Sequence, residues 1–172
     1  ANNHIARAGI TMHAIKLHAP NWNGGAGGNF VAGMYSEQVN ISDNKIVGGI
    51  NPWTVSVGPQ NGNYDERVRD VIFERNWLVS GSGTRINVDI SASRSSVRSN
   101  IFTQSASASD HTDIWITRRG VEPVPDGVRV YRNSSFSQAS GSFLGVDVEN
   151  ATNVVVEANL AWAPLASRTQ MA

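Results

Sequence analysis

The chain has 172 residues, 40% of them apolar, with 14 Lys and Arg against 14 Asp and Glu and no cysteine. Balanced charge gives no basic field to hold nucleic acid, and no apolar run reaches the roughly 18 residues of a membrane span. Without cysteine there is no disulfide scaffold, thiol catalysis or cysteine-bound zinc, and the length fits one domain.

In chain order the first element is a fragment: Asn3 followed by Ile5 looks like the tail of a repeated frame, apolar-x-apolar-x-x-Asn. An alternating run, Ile15/Leu17, comes next. The clearest copy of the frame is Val39-Asn40-Ile41-Ser42-Asp43-Asn44-Lys45-Ile46, and Val55/Val57 follow it. The frame returns as Val71, Phe73, Asn76, Leu78, then Ile86/Val88/Ile90; and as Val97, Asn100, Phe102, then Ile114/Ile116. It returns again as Val128, Val130, Asn133, then Leu144/Val146/Val148, and closes with Val154, Val156, Asn159. The Asn positions are spaced by 41, 32, 24, 33 and 26 residues, a period near 24 with insertions, which is the mark of a solenoid.

Alternation of apolar and polar residues predicts half-buried strands, at least two per coil. A third strand is not resolved by the pattern. The recurring Asn falls at the bend after the first strand, where Asn tolerates the left-handed region, and stacked Asn amides would bond along the axis as a ladder. Trp77 and Trp162, just after ladder Asn residues, read as turn or core packing, and His111 as a solvent-facing residue of a Ser/Asp-rich loop.

The frame Val39 to Ile46 resembles the right-handed parallel β-helix repeat of the pectate-lyase-like superfamily, over about residues 2 to 162. The resemblance implies an all-β fold, a right-handed parallel β-helix of about six coils, and handedness agrees with the rule for parallel crossovers. Residues 1–172 read as a single β-helix domain, with the C-terminal part of a longer helix as the alternative. The opening on a ladder Asn with no preceding cap implies either missing coils or an end covered by another subunit, the second alternative being a homo-oligomer through an uncapped end. The superfamily includes lyases, hydrolases, epimerases, tailspikes and adhesins, so function must come from the site.

Extra residues gather after the second strand, between His18 and Val39, Val57 and Val71, and Thr117 and Val128, so the long loops wall one edge of the second-strand sheet. If the apolar members of that strand point inward, the outward column is Lys16 and His18; Thr54 and Ser56; Asn87 and Asp89; Trp115 and Thr117; Asp147 and Glu149. Such a surface suits a sugar chain, whose hydroxyls need donors and acceptors and whose C–H face packs on an aromatic ring. The substrate-binding candidates are Trp22, Asn87, Trp115 and Arg119. Lys16 and His18 could divide charge neutralisation and proton abstraction on a uronic acid, with Arg119 on its carboxylate. Asp89 and Asp147, two coils apart, are the candidate pair for an inverting glycoside hydrolase.

The function expected from the resemblance is therefore a carbohydrate-handling β-helix, leaning towards a lyase or epimerase on an acidic polysaccharide, at an extracellular or cell-surface location. The rivals are a non-catalytic structural or adhesive β-helix and an inverting glycoside hydrolase. No metal site and no cofactor is expected from the residues, with calcium left open although no aspartate-rich cluster is evident.

Overall fold

The computed structural model describes residues 3–6, 13–18, 35–48, 52–58, 67–81, 83–105, 110–119 and 123–170. Its early strands are β1 (His4–Ala6), β2 (Ile15–Leu17), β3 (Val39–Ser42), β4 (Lys45–Val47), β5 (Trp53–Val57) and β6 (Val71–Glu74). They continue as β7 (Trp77–Ser80), β8 (Ile86–Ile90), β9 (Ser96–Arg98), β10 (Ile101–Gln104), β11 (His111–Thr117) and β12 (Arg129–Tyr131). The last are β13 (Ser134–Ser137), β14 (Ser142–Glu149), β15 (Val155–Glu157), β16 (Leu160–Trp162) and β17 (Arg168–Gln170).

These strands form a right-handed parallel β-helix with three faces. The first sheet stacks β3, β6, β9, β12 and β15, just before each ladder Asn. The second stacks β1, β4, β7, β10, β13 and β16, just after it. The third stacks β2, β5, β8, β11, β14 and β17. Neighbours pair in parallel, as Ile46↔Leu78, Phe73↔Val97 and Val88↔Ile114. The second sheet is the strand that the pattern left unresolved: its runs are three or four residues long, and several carry apolar residues on both faces.

One apolar column from each sheet fills the interior: Phe73, Val97 and Val130; Ile46, Leu78 and Phe102; Val57, Ile90 and Ile116. Each residue is closed above and below by its counterpart in the next coil, so no single coil has a core of its own.

The Asn ladder forms. Asn3, Asn44, Asn76, Asn100, Asn133 and Asn159 are linked side chain to side chain, each Nδ2 donating to the next Oδ1 at 2.9–3.2 Å. The backbone N–H groups of Asn44, Asn76, Asn100 and Asn133 donate to the same oxygens, so one Oδ1 caps two donors. The left-handed residue is not the Asn but the one before it: Asp43, Arg75, Ser99, Arg132 and Ala158 have φ of 52–58°. A left-handed residue turns the chain so that the following Asn side chain lies across the turn, where the amides of Asn76, Asn100, Asn133 and Asn159 reach the carbonyls of Ile41, Phe73, Val97 and Val130 in the first-sheet strand of the preceding coil. A second left-handed column, Gln38, Asp70, Arg94, Gly127 and Asn153, opens the first sheet.

Outside the first sheet runs a charge ladder in register with the coils. Arg75 bonds Asp43, Arg94 bonds Asp70, and Arg98 bridges Glu74 and the Tyr131 hydroxyl. The Arg75–Asp43 and Arg94–Asp70 pairs are exposed and fix register more than they add stability, while Glu74 is buried beneath Arg98.

Candidate functional site

The third sheet does not present the solvated column that strict alternation predicts. Thr54, Ser56, Asn87, Asp89 and Thr117 are all buried. For Thr54 and Asn87 the reason is a bend shared by successive coils. Register runs Trp53↔Ile86↔Thr112↔Leu144 and resumes at Val55↔Val88↔Ile114↔Val146, omitting the level of Thr54, Asn87, Asp113 and Gly145. There two adjacent residues both face the interior. Val88 packs in the apolar core, while Asn87 takes the hydroxyl of Ser80, which shares a strand face with core Leu78, at 3.0 Å. Residues after the bend return to alternation, so Ser56, Asp89, Trp115 and Asp147 stay on the outer side in one row that Lys16 begins.

That row carries the best-defined polar cluster outside the coil. Lys16 Nζ donates to Ser56 Oγ at 2.9 Å and also to the Gly58 carbonyl. Ser56 Oγ donates to Asp89 Oδ2 at 3.2 Å, and Arg119 Nη1 donates to the same oxygen at 2.7 Å. The Arg119 guanidinium sits 5.0 Å from the Trp53 ring and 5.5 Å from the Trp115 ring, a cation held between two aromatic faces. Its backbone N–H donates to Ser91 Oγ at 3.3 Å, which anchors the chain leaving β11.

Asp89 is 0% exposed. Burial pushes its carboxyl above the ordinary carboxylate value, and the opposing pull of Arg119, Lys16 and Ser56 does not bring it back. Oδ1 is buried with no hydrogen-bond partner among the described residues, and so is Trp115 Nε1. Both are polar atoms with unspent capacity in the same cluster.

Lys16, Asp89, Trp115 and Arg119 are thus brought together. The other predicted residues are not. His18 follows β2, half-buried, with its backbone carbonyl accepting the Ser36 hydroxyl at 2.6 Å. Asp147 is half-buried in the same row, beyond Trp115. Asn87 has turned inward. Trp22 lies outside the described residues, as does most of the first two long loops.

Inside the bend lies a second polar cluster. Asn87 Nδ2 donates to Asp113 Oδ1 at 2.7 Å, and His111 Nε2 is 2.9 Å from that oxygen. The His111 ring stacks on Phe143 at 6.1 Å. His111 is therefore not a solvent-facing loop residue: β11 begins three residues before its first apolar member, and His111 and Asp113, ahead of Ile114, are buried.

Two members of the outer cluster, Ser56 and Trp53, were not candidates from sequence. Ser56 was legible as the residue between Lys16 and Asp89 in the outward row. Trp53 carried no signal, because its outward orientation depends on the bend.

Among the described residues no group of three or more His, Asp or Glu is placed to hold a metal ion. Among them, too, no helix is long and apolar enough to cross a membrane. No protein-family model, no curated protein and no solved structure matches the chain.

Proposed function

We propose that the chain is a carbohydrate-handling β-helix of the pectate-lyase-like kind, acting on an acidic polysaccharide by removal of the proton beside a uronic acid carboxylate. The observation that carries this reading is the cluster on the buried Asp89, whose Oδ1 is unspent: Arg119, set against two tryptophan rings, and Ser56 bond its Oδ2, and Lys16 bonds Ser56.

In this reading Arg119 and Lys16 receive the sugar carboxylate, and Trp53 and Trp115 pack against its C–H faces. Arg119 lies over Asp89, so a substrate carboxylate that draws Arg119 onto itself uncovers Asp89 and removes its closest cation. Asp89 then has the character of a general base, raised above an ordinary carboxylate. Its Oδ1 takes the C5 proton, and the C–H electrons move into the substrate carboxyl, stabilised there by the two cations. Return of a proton to the opposite face of C5 gives epimerisation. Departure of the C4 oxygen, with a proton from solvent, gives elimination and a C4=C5 double bond. Calcium belongs to this proposal only through the resemblance, and an extracellular or cell-surface location follows from the substrate class.

The hydrolase alternative is the weaker one. Asp89 and Asp147 are two strand spacings apart, about 9.6 Å, at the upper end of the inverting range, with Trp115 between them. The non-catalytic alternative has one observation in its favour, that Arg119 is already paired with Asp89 Oδ2.

The test is ultraviolet absorbance of the unsaturated product on a panel of polyuronates, with and without calcium, for the wild type, Arg119→Ala and Asp89→Asn. The reading expects a signal from the wild type that falls at least about 100-fold in Asp89→Asn, as loss of a positioned general base does. Equal turnover by wild type and Asp89→Asn would remove Asp89 from the mechanism. Polyuronate binding that is lost in Arg119→Ala, with no chemistry on any substrate, would leave the binding form of the proposal.

A further inference from the structure

The outer face of the second sheet is unlike the other two. Two rows run across β4, β7, β10, β13 and β16 in strict register. One reads Lys45, Trp77, Ile101, Ser134, Leu160; the other reads Val47, Val79, Thr103, Phe136, Trp162. Trp77 and Trp162, expected in turns or core, lie on this surface: Trp77, Ile101, Phe136, Leu160 and Trp162 are 42–57% exposed. Lys45 is the only charged residue in either row, and its ammonium lies 4.2 Å over the Trp77 ring. The five side chains alone leave roughly 400–500 Å² of mainly apolar surface, the size of the functional patches of soluble proteins. Few groups on it could pair with sugar hydroxyls or with a charged partner, so a neutral apolar sheet face is what it complements.

We infer that this face packs against the same face of a second copy of the chain, about a two-fold axis running along β10. The size pattern of the rows selects that axis. Rotation about it keeps each row opposite itself and reverses the coil order, so that β10 meets β10, β7 meets β13 and β4 meets β16. Trp77 then faces Ser134 of the second copy, Val79 faces Phe136, and Val47 faces Trp162. Ile101 and Thr103 each meet their own copy. Every aromatic residue is opposed by a smaller one, the large-against-small fit that lets facing sheets interdigitate at about 10 Å. Lys45 falls at the rim opposite Leu160, where its stem covers apolar surface and its ammonium stays in water. The contact is isologous, so it closes as a dimer and does not propagate. Two such faces bury roughly 800–1,000 Å², below the range of stable specific interfaces and within that of weak, transient ones, so the dimer is reversible.

Sedimentation velocity across a concentration series tests this on the full chain. The expected result is a mass that rises with concentration from 18.5 kDa towards twice that value. Ile101→Lys and Phe136→Lys, both at exposed positions, are expected to stay monomeric with unchanged circular dichroism. The cysteine-free background allows a second readout with a short bis-maleimide. Thr103→Cys is expected to couple to itself. Val47→Cys is not, because the axis separates the two copies of that residue by four strand spacings, about 19 Å. A monomer at every concentration, or a dimer that survives both lysine variants, would overturn the interface. Coupling of Val47→Cys as efficient as that of Thr103→Cys would overturn the axis.

Discussion

Asn100→Ala removes the centre of the Asn ladder. The Asn100 side chain donates to the Phe73 carbonyl at 3.0 Å and to Asn133 Oδ1 at 3.0 Å, and accepts from the Asn76 backbone N–H at 2.9 Å and Asn76 Nδ2 at 3.2 Å. Two of the four partners keep another bond: Asn133 Oδ1 still receives the Asn100 backbone N–H, and Asn76 Nδ2 still reaches the Ile41 carbonyl. The Asn76 N–H is left buried with nothing to donate to, which costs about 1–3 kcal/mol, and the other three losses add a few tenths to about 1 kcal/mol each. The expected destabilisation is about 3–5 kcal/mol. For a chain of this length it lowers Tm by about 6–20 °C, read by circular dichroism on heating. Asn159→Ala is the internal comparison. It also removes ladder bonds, but at the partly exposed last ladder position, where water replaces them; about 1–2 kcal/mol is expected. A cost below about 1 kcal/mol for Asn100→Ala, or equal costs at both positions, would refute the claim that the ladder is an interior network.

Ala158→Gly relieves a left-handed alanine (φ 52°) on an exposed turn and is expected to raise Tm by about 1–3 °C in the same heating experiment, whereas Gly127→Ala (φ 70°, nothing within 4 Å) imposes that strain and costs about 1 kcal/mol. Gly48→Ala meets the Thr84 and Thr54 hydroxyls at 2.6 and 2.7 Å beside the shared bend and is expected to cost about 1–3 kcal/mol in denaturant titration. The pH dependence has two signs. Asp43, Asp70, Glu74 and Asp126 are held below their ordinary values, chiefly by Arg75 for Asp43, by Arg94 for Asp70 and by Thr152 and Asn153 for Asp126; at Glu74, Arg98 and Arg75 together outweigh burial. Their contribution is present above the unfolded carboxylate pKa and is lost as pH falls through the lower folded values. Asp89 is held above its ordinary value by burial, so its contribution is full below the unfolded pKa and is lost as pH rises through the folded one. Wild type is therefore expected to lose stability relative to Asp89→Asn as pH rises from about 4, and a gap that widens in favour of wild type over that range would contradict the burial argument.

The fold was legible because a solenoid writes its period into the sequence. Val39 to Ile46 and its counterparts place the first sheet, and Asn44, Asn76, Asn100, Asn133 and Asn159 fix the stacking before any coordinate is known. The second sheet was not legible, since Leu160-Ala161-Trp162 and Trp77-Leu78-Val79 carry apolar residues on both faces and an outer face that is apolar erases alternation. The site was half legible. Lys16, Asp89 and Trp115 share a row because register is preserved after the bend, and Arg119 lies just beyond the strand that holds Trp115. Asn87 failed because the bend puts two successive residues inside, an event with no signature in a period-two pattern. His111 failed because the buried polar residues ahead of Ile114 read as loop. The left-handed column escaped for a related reason: Asp43, Arg75, Ser99, Arg132 and Ala158 share no chemistry, only a position before Asn.

Proton exchange at C5 tests the functional account most directly, because elimination and epimerisation share it. Polyuronates incubated with the protein in deuterium oxide would be followed by proton magnetic resonance. The account predicts loss of the C5 proton signal in at least one polymer with the wild type, and its retention with Asp89→Asn. Retention of that signal across the panel with the wild type, or an equal loss with Asp89→Asn, would contradict it.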